Sequence, residues 1–147
     1  MSTSIFPSET IQVDAIVQAT IDASTTYLPL LKEYAWDYEN EDFVLVDGKN
    51  VVVTGKEAVK VWAWKALKTV RYKYLIYSWN YGQEFESIIN KGLSRESVKS
   101  ELERTIKETL LISPYITDIK AISITFEDII KAQATVMTVY GEVTVDV

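Results

Sequence analysis

The chain has no cysteine and no histidine. Without cysteine there is neither a disulfide framework nor a thiolate metal site, which fits an intracellular place of synthesis. Without either residue, nucleophilic triads of the Ser-His-Asp or Cys-His kind cannot be assembled. Glycine and proline are scarce, at five and three residues. The glycines stand singly, so there is no phosphate-cradling loop. No apolar run approaches the roughly 20 residues that span a bilayer. The opening MSTSIFPSETIQ lacks a basic segment followed by an apolar one, so no secretory signal peptide is expected. A net charge of −6 argues against holding a polyanion, because neutralising phosphates needs clustered Lys and Arg. Neither nucleic acid nor a membrane is an expected partner.

What remains is a chain of 147 residues, 48% apolar and 24% charged, long enough for one hydrophobic core. Two regions separate by composition. Residues 1–26 are rich in Ser, Thr and short aliphatics and read as an N-terminal arm that orders on binding or stays disordered. Residues 27–147 read as a single α+β domain.

The densest stretch is Thr69 to Phe85, TVRYKYLIYSWNYGQEF. Such aromatics bury much area but need partners for their hydroxyl and indole groups, so a core strand ending in a polar-tipped corner is expected here. Asn80, Tyr81 and Gly82 make the corner, with Gly82 supplying backbone freedom. Before it, Tyr34, Trp36 and Tyr38 alternate as in a half-buried strand. Phe43–Val46 and Val51–Val53 flank an Asp47-Gly48 hairpin turn. Thr54 and Glu57 form a capping box for a helix with Val59, Trp62, Ala63, Ala66, Leu67 and Val70 on one face. Phe85, Ile88 and Ile89 suggest a short helix stopped at Gly92. Ser94 caps a longer one with a Val98, Leu102, Ile106, Leu110 stripe and a Glu103–Lys107 pair, ended by Ser113-Pro114.

The remainder reads as strands. Ile122, Ile124 and Phe126 alternate, Glu127-Asp128 turns the chain, Ala132–Tyr140 forms a second strand, and Val143, Val145 and Val147 alternate to the last residue. That closing strand either completes the protein's own sheet or adds to a partner's by β-augmentation. Strands, then about three helices, then an antiparallel sheet make an α+β fold.

Chemistry is thin. The acidic cluster at Asp37, Glu39, Asn40, Glu41 and Asp42 lacks the ligand spacing of a calcium loop and reads as a solvated turn. A carboxylate pair for glycoside hydrolysis, such as Glu84 with another acid, requires one raised pKa. A small-ligand site would require an apolar pocket. Arg71 sits among aromatics, where it can stack or pair with Glu84. No cofactor or metal is expected.

The run Ala66 to Gly82, through Leu67, Thr69, Arg71, Tyr81 and Gly82, resembles the XkdS-like proteins of contractile phage tails and phage-derived particles. These are related to the lysozyme-like baseplate wedge and sheath-initiator proteins. The likeness extends from about residue 34 to the end. Departures include Ser113-Pro114-Tyr115 where the wider family carries Glu-Pro-Arg, and Thr69-Val70 where it often has Gly-Glu before the arginine. The resemblance implies a structural, non-enzymatic baseplate protein made in the bacterial cytoplasm and present in several copies around the tail axis. It implies contact with tail sheath and baseplate wedge proteins, with the tail tube or hub as a further neighbour. It also sharpens the closing strand into a sheath contact through Val136, Val139, Val143, Val145 and Val147. Leu67, Thr69, Arg71, Asn80, Tyr81, Gly82 and Glu84 then become a structural motif. The alternative is a peptidoglycan-cleaving tail enzyme.

Overall fold

A computed structural model describes residues 27–147; the arm expected over 1–26 lies outside the described residues. The fold is α+β. Six short strands come first: β1 (Lys32–Tyr34), β2 (Trp36–Asp37), β3 (Asp42–Phe43), β4 (Leu45–Val46), β5 (Lys49–Asn50) and β6 (Val52–Thr54). They pair antiparallel as β1 with β6, β2 with β3 and β4 with β5. Single backbone bonds join the pieces, with the Ala35 amide donating to the Val51 carbonyl at 2.7 Å and Val44 to Ala35 at 3.0 Å. Asp47 and Gly48 both take positive φ, 51° and 72°, as a type I′ hairpin turn requires. Trp36 and Tyr38 pack on Trp64, with ring centroids 5.1 and 5.9 Å apart; Tyr34 stays half exposed beside Phe43.

Helix α1 (Lys56–Lys68) starts without the expected capping box. Thr54 is held in β6 opposite Lys32, and Gly55 takes the cap position with no side-chain bond. The sheet ladder fixes the Thr54 backbone and removes it from capping. The expected apolar face also differs: Val61 and Trp64 are buried, while Trp62 is only half-buried. The cause is that α1 is central. It packs on β9 (Gly141–Asp146), on β1 and β6, and on the long helix α3 (Arg95–Leu111), so no single stripe describes it.

The aromatic stretch is not a core strand. From Tyr72 to Asn80 it forms turns, and Leu75, Ile76 and Trp79 are 99%, 87% and 76% exposed. Aromatic content predicted burial here, but the rings of the loop pack on one another instead, Tyr72 on Trp79 and Tyr74 on Tyr77. The short helix α2 (Phe85–Ile89) follows. In α3 the Ser94 hydroxyl accepts from the Ser97 amide, and Val98, Leu102, Ile106 and Leu110 all face the core. The surface pairing differs from expectation: Arg104 reaches both Glu101 and Glu108 at 2.7 Å, and no Glu103–Lys107 pair occurs among the described residues. One planar guanidinium fork serves two carboxylates where an ammonium would serve as a point charge.

The C-terminal sheet is antiparallel in the order β7 (Ile116–Phe126), β8 (Ile130–Thr138), β9. The second strand begins at Ile130 and stops at Thr138, displaced from the Ala132–Tyr140 expected, because Val139 and Tyr140 are spent on the turn into β9. One face carries Ile116, Ile124, Ala134, Val136, Val143 and Val145 into the core beneath α1 and α3. The other is polar, with Lys120 paired to Glu142 and Gln133 to Asp146. That is the usual division of an antiparallel sheet solvated on one side. Each valine buried completely contributes about 1.5–3 kcal/mol.

Candidate docking surfaces

The sheet ends in two edges of unlike character. Val147 and Ala132 exchange both backbone bonds, at 2.7 and 2.8 Å. Alternation then turns the amides and carbonyls of Val145 and Val143 toward β8 and those of Glu142, Thr144 and Asp146 outward. Among the described residues no backbone group meets these outward groups. The register along β9 is unbroken for six residues. The opposite edge, on β7, carries register shifts at Ile116/Asp118 and Ile119/Ala121. It is also covered at its end, where the Arg95 guanidinium donates to the Phe126 carbonyl at 3.3 Å and lies over the Phe126 ring. Irregular pairing and a covering cation are the usual devices that keep an edge from recruiting strands. β7 has both, whereas β9 keeps an unbroken register and has a cation, the Lys56 ammonium, only against its first residue, Gly141.

Beside the end of β9 lies an open cleft between Tyr38, Glu41 and Trp64 on one wall and Gln133, Asp146 and Val147 on the other. Two polar atoms buried near it, the Trp36 indole nitrogen and the Tyr38 hydroxyl, have no hydrogen-bond partner among the described residues. Burial, with the Glu57 charge adding to it, pushes the Tyr38 hydroxyl up to about 12.

The residues expected as partner contacts are distributed by this geometry. Val136, Val143 and Val145 point into the protein's own core, at 0%, 6% and 0% exposure. Val147 is half-buried beside Ala132, and Val139 is exposed on the turn. The closing strand therefore completes the protein's own sheet. Its side chains are committed, and only its outer backbone edge is free.

The motif residues come together at the neck of the aromatic loop. The Arg71 amide donates to the Gln83 carbonyl at 2.8 Å, and the Gln83 amide to Thr69 at 2.9 Å. The Arg71 Nε donates to the Gly82 carbonyl at 3.1 Å, and its guanidinium lies 3.8 Å from Glu84. The Thr69 hydroxyl donates to the Lys65 carbonyl, closing α1, and Leu67 is buried beneath. Gly82 has φ +99°, and an added Cβ would lie 2.6 Å from the Thr69 carbonyl oxygen; no other residue fits without moving the neck. Tyr81 packs between Tyr77 and Trp62 at 4.6 and 6.0 Å, and burial pushes its hydroxyl up to about 12. Asn80 lies in the turn above. Sequence reasoning missed Thr109, a buried residue of α3 whose hydroxyl also donates to the Gly82 carbonyl. Nothing local marks that contact, since the partners are 27 positions apart.

At Asp37 the carboxylate accepts from the Glu39 and Asn40 amides and from the Asn40 side chain. The Asn40 bonds, with that of Glu39, hold its pKa below the usual value. The cluster thus organises the β2–β3 turn. No helix among the described residues is long and apolar enough to cross a membrane.

The described residues thus show one uninterrupted sheet edge on β9 and a stitched neck beneath an exposed aromatic loop. The chain is 30% identical over 92 residues to the phage-like element PBSX protein XkdS of Bacillus subtilis (strain 168), a match covering 62% of each chain. A model of the contractile injection system sheath initiator family matches residues 32–141. With three quarters of its length inside that match, the chain belongs to the sheath initiator family of contractile injection systems, a family of structural tail components and not enzymes.

Proposed function

We propose that this protein seeds the tail sheath by accepting a strand from a sheath subunit along the outer edge of β9. The observation that carries the reading is the contrast of edges. β9 offers the outward backbone groups of Glu142, Thr144 and Asp146 in an unbroken register, while β7 is interrupted and covered. Backbone pairing of this kind gives affinity, and pockets beside it give specificity. The protein acts as an acceptor, because donating β9 would strip Val143 and Val145 from the core. The exposed loop at Leu75 and Ile76 is a second contact, toward baseplate wedge proteins, since large exposed apolar patches mark interaction sites. Residues 27–147 act as one unit with the 1–26 arm as an added tether, in several copies around the tail axis.

Thr144→Pro tests the edge. The substitution removes an outward amide that the fold does not use, and edge strands tolerate proline at such positions. The variant should keep its thermal unfolding midpoint within a few degrees and lose sheath seeding. If it seeds sheath as well as the unaltered chain, the edge is not the contact.

A further inference from the structure

We infer that the strand added at β9 carries an acidic side chain beside Gly141, seated against the Lys56 ammonium. The inference rests on the strand-acceptor reading and adds the chemistry by which the incoming segment is recognised. The site is built where the start of α1 meets the start of β9. Gly141 is the first residue of β9 and shares the face of Val143 and Val145, which points at the helices. It has no side chain, and the Lys56 ammonium nitrogen lies 3.3 Å from the place a Cβ would take. A residue of the added strand directly opposite Gly141 points to the same face, with its Cβ about 5 Å from that place. A side chain there reaches the ammonium across the space that Gly141 leaves.

Charge names the occupant. Among the described residues neither Lys56 nor Lys60, one turn further along, makes an ion pair, whereas Lys65 and Lys68 pair with Glu33 and Glu41. The Lys60 ammonium lies over the Tyr38 ring, 5.0 Å from its centroid. Glu57 is the nearest acid in sequence, but successive residues of a helix do not face each other. A cation in the first turn meets the positive end of the helix dipole, and a like charge one turn away repels it. Both effects count against Lys56 in the free protein, and a carboxylate supplied by a partner reverses them. The two faces of the edge also differ in sign. On the solvent face the neighbour of Gly141 is Glu142, bonded to Lys120. A slip of one residue turns the incoming acid from Lys56 to the side of Glu142, where like charges on adjacent strands repel. Charge thus fixes the register of the added strand. A lysine at a sheet edge also deters strands that bring no acid to meet it.

The test uses the full chain and the sheath subunit of the same particle, with affinity read by titration at low and high salt and folding by thermal melts. Lys56→Glu should fold at least as well as the unaltered chain, since an acid suits the first turn. It should weaken binding roughly 3- to 10-fold at low salt, the effect of turning one exposed attraction into a repulsion. The difference should shrink at high salt. Lys56→Gln, which only removes the charge, should fall between that variant and the unaltered chain. Lys99→Glu, exposed on α3, makes the same change in net charge as Lys56→Glu and should leave binding within about twofold. Equal weakening by Lys56→Glu and Lys99→Glu overturns the inference, because net charge then accounts for the loss. Thr144→Pro, in parallel, reports the edge. Unchanged binding by Lys56→Glu alongside loss with Thr144→Pro overturns the acidic contact and leaves the edge reading standing. Unchanged binding by Thr144→Pro overturns both. Exchanging the matching acid of the sheath segment for lysine should restore binding to Lys56→Glu. A segment in which no acid-to-lysine exchange does so overturns the pairing.

Discussion

Two regions of this protein are rich in apolar side chains and have opposite fates. The C-terminal sheet spends its valines on the core, with Val136 and Val145 fully buried. The Tyr72–Tyr81 loop leaves Leu75, Ile76 and Trp79 in solvent above a neck fixed by Arg71, Gly82 and Thr109. Within the loop the rings pack on one another, Tyr72 on Trp79 at 5.7 Å and Tyr74 on Tyr77 at 6.2 Å. Apolar density therefore does not by itself decide burial. A strand with alternating residues can present one face to a core; a run such as Tyr72-Lys73-Tyr74-Leu75-Ile76-Tyr77 has no single apolar face to present.

The sharpest way to break the comparison is to make the same substitution once in the core that the sheet covers and once in the loop. Leu67→Ala, in the core, should cost about 2–5 kcal/mol, read as a lowered urea midpoint. Leu75→Ala should stay within about 0.5 kcal/mol. Comparable losses at the two sites would mean that the loop packs on the body in solution.

Gly82→Ala comes next. It combines a positive φ with a backbone clash, and should cost about 1–3 kcal/mol. Hydrogen exchange should rise first at the Arg71 and Gln83 amides. If the loss is instead spread through β7–β9, the neck is part of the global core rather than a local clamp.

A smaller effect separates the two buried hydroxyls. Tyr38 and Tyr81 titrate near 12 in the fold against about 10 in an unfolded chain. Folding thus favours the protonated phenols. Their contribution is intact below pH 10 and falls as pH rises from about 10 to 12, where the native state holds more protons than the unfolded one. Urea midpoints measured from pH 9 to 12 should decline over that window. Tyr38→Phe should soften the decline and leave stability at pH 7 unchanged or slightly raised, because the hydroxyl it removes has no partner among the described residues. A clear loss at pH 7 would reveal a hydrogen bond to that hydroxyl.

Much of the fold was legible in the residues. The i, i+4 stripe of Val98, Leu102, Ile106 and Leu110, the Ser94 cap and the Asp47-Gly48 turn are local patterns, and the structure realises each. Local readings failed where distant chain intervened. Thr54 lost its cap to pairing with Lys32, and Trp64 was buried by Trp36 and Tyr38 arriving from the meander. Of the candidate site, Arg71, Gly82 and Glu84 could be named from sequence, but not Thr109 or the approach of Lys56 to Gly141, since each contact joins elements far apart in the chain.

The sequence by itself determined the absence of a thiol or imidazole site, the kinds of element and their order, because residue type and spacing act over a turn or a strand. Only the tertiary structure decided which apolar residues stay in solvent and which sheet edge stays open. Those outcomes depend on what packs against each surface from far along the chain: the outward backbone groups of Glu142, Thr144 and Asp146 meet no backbone partner among the described residues, while Arg95 and two register shifts guard β7.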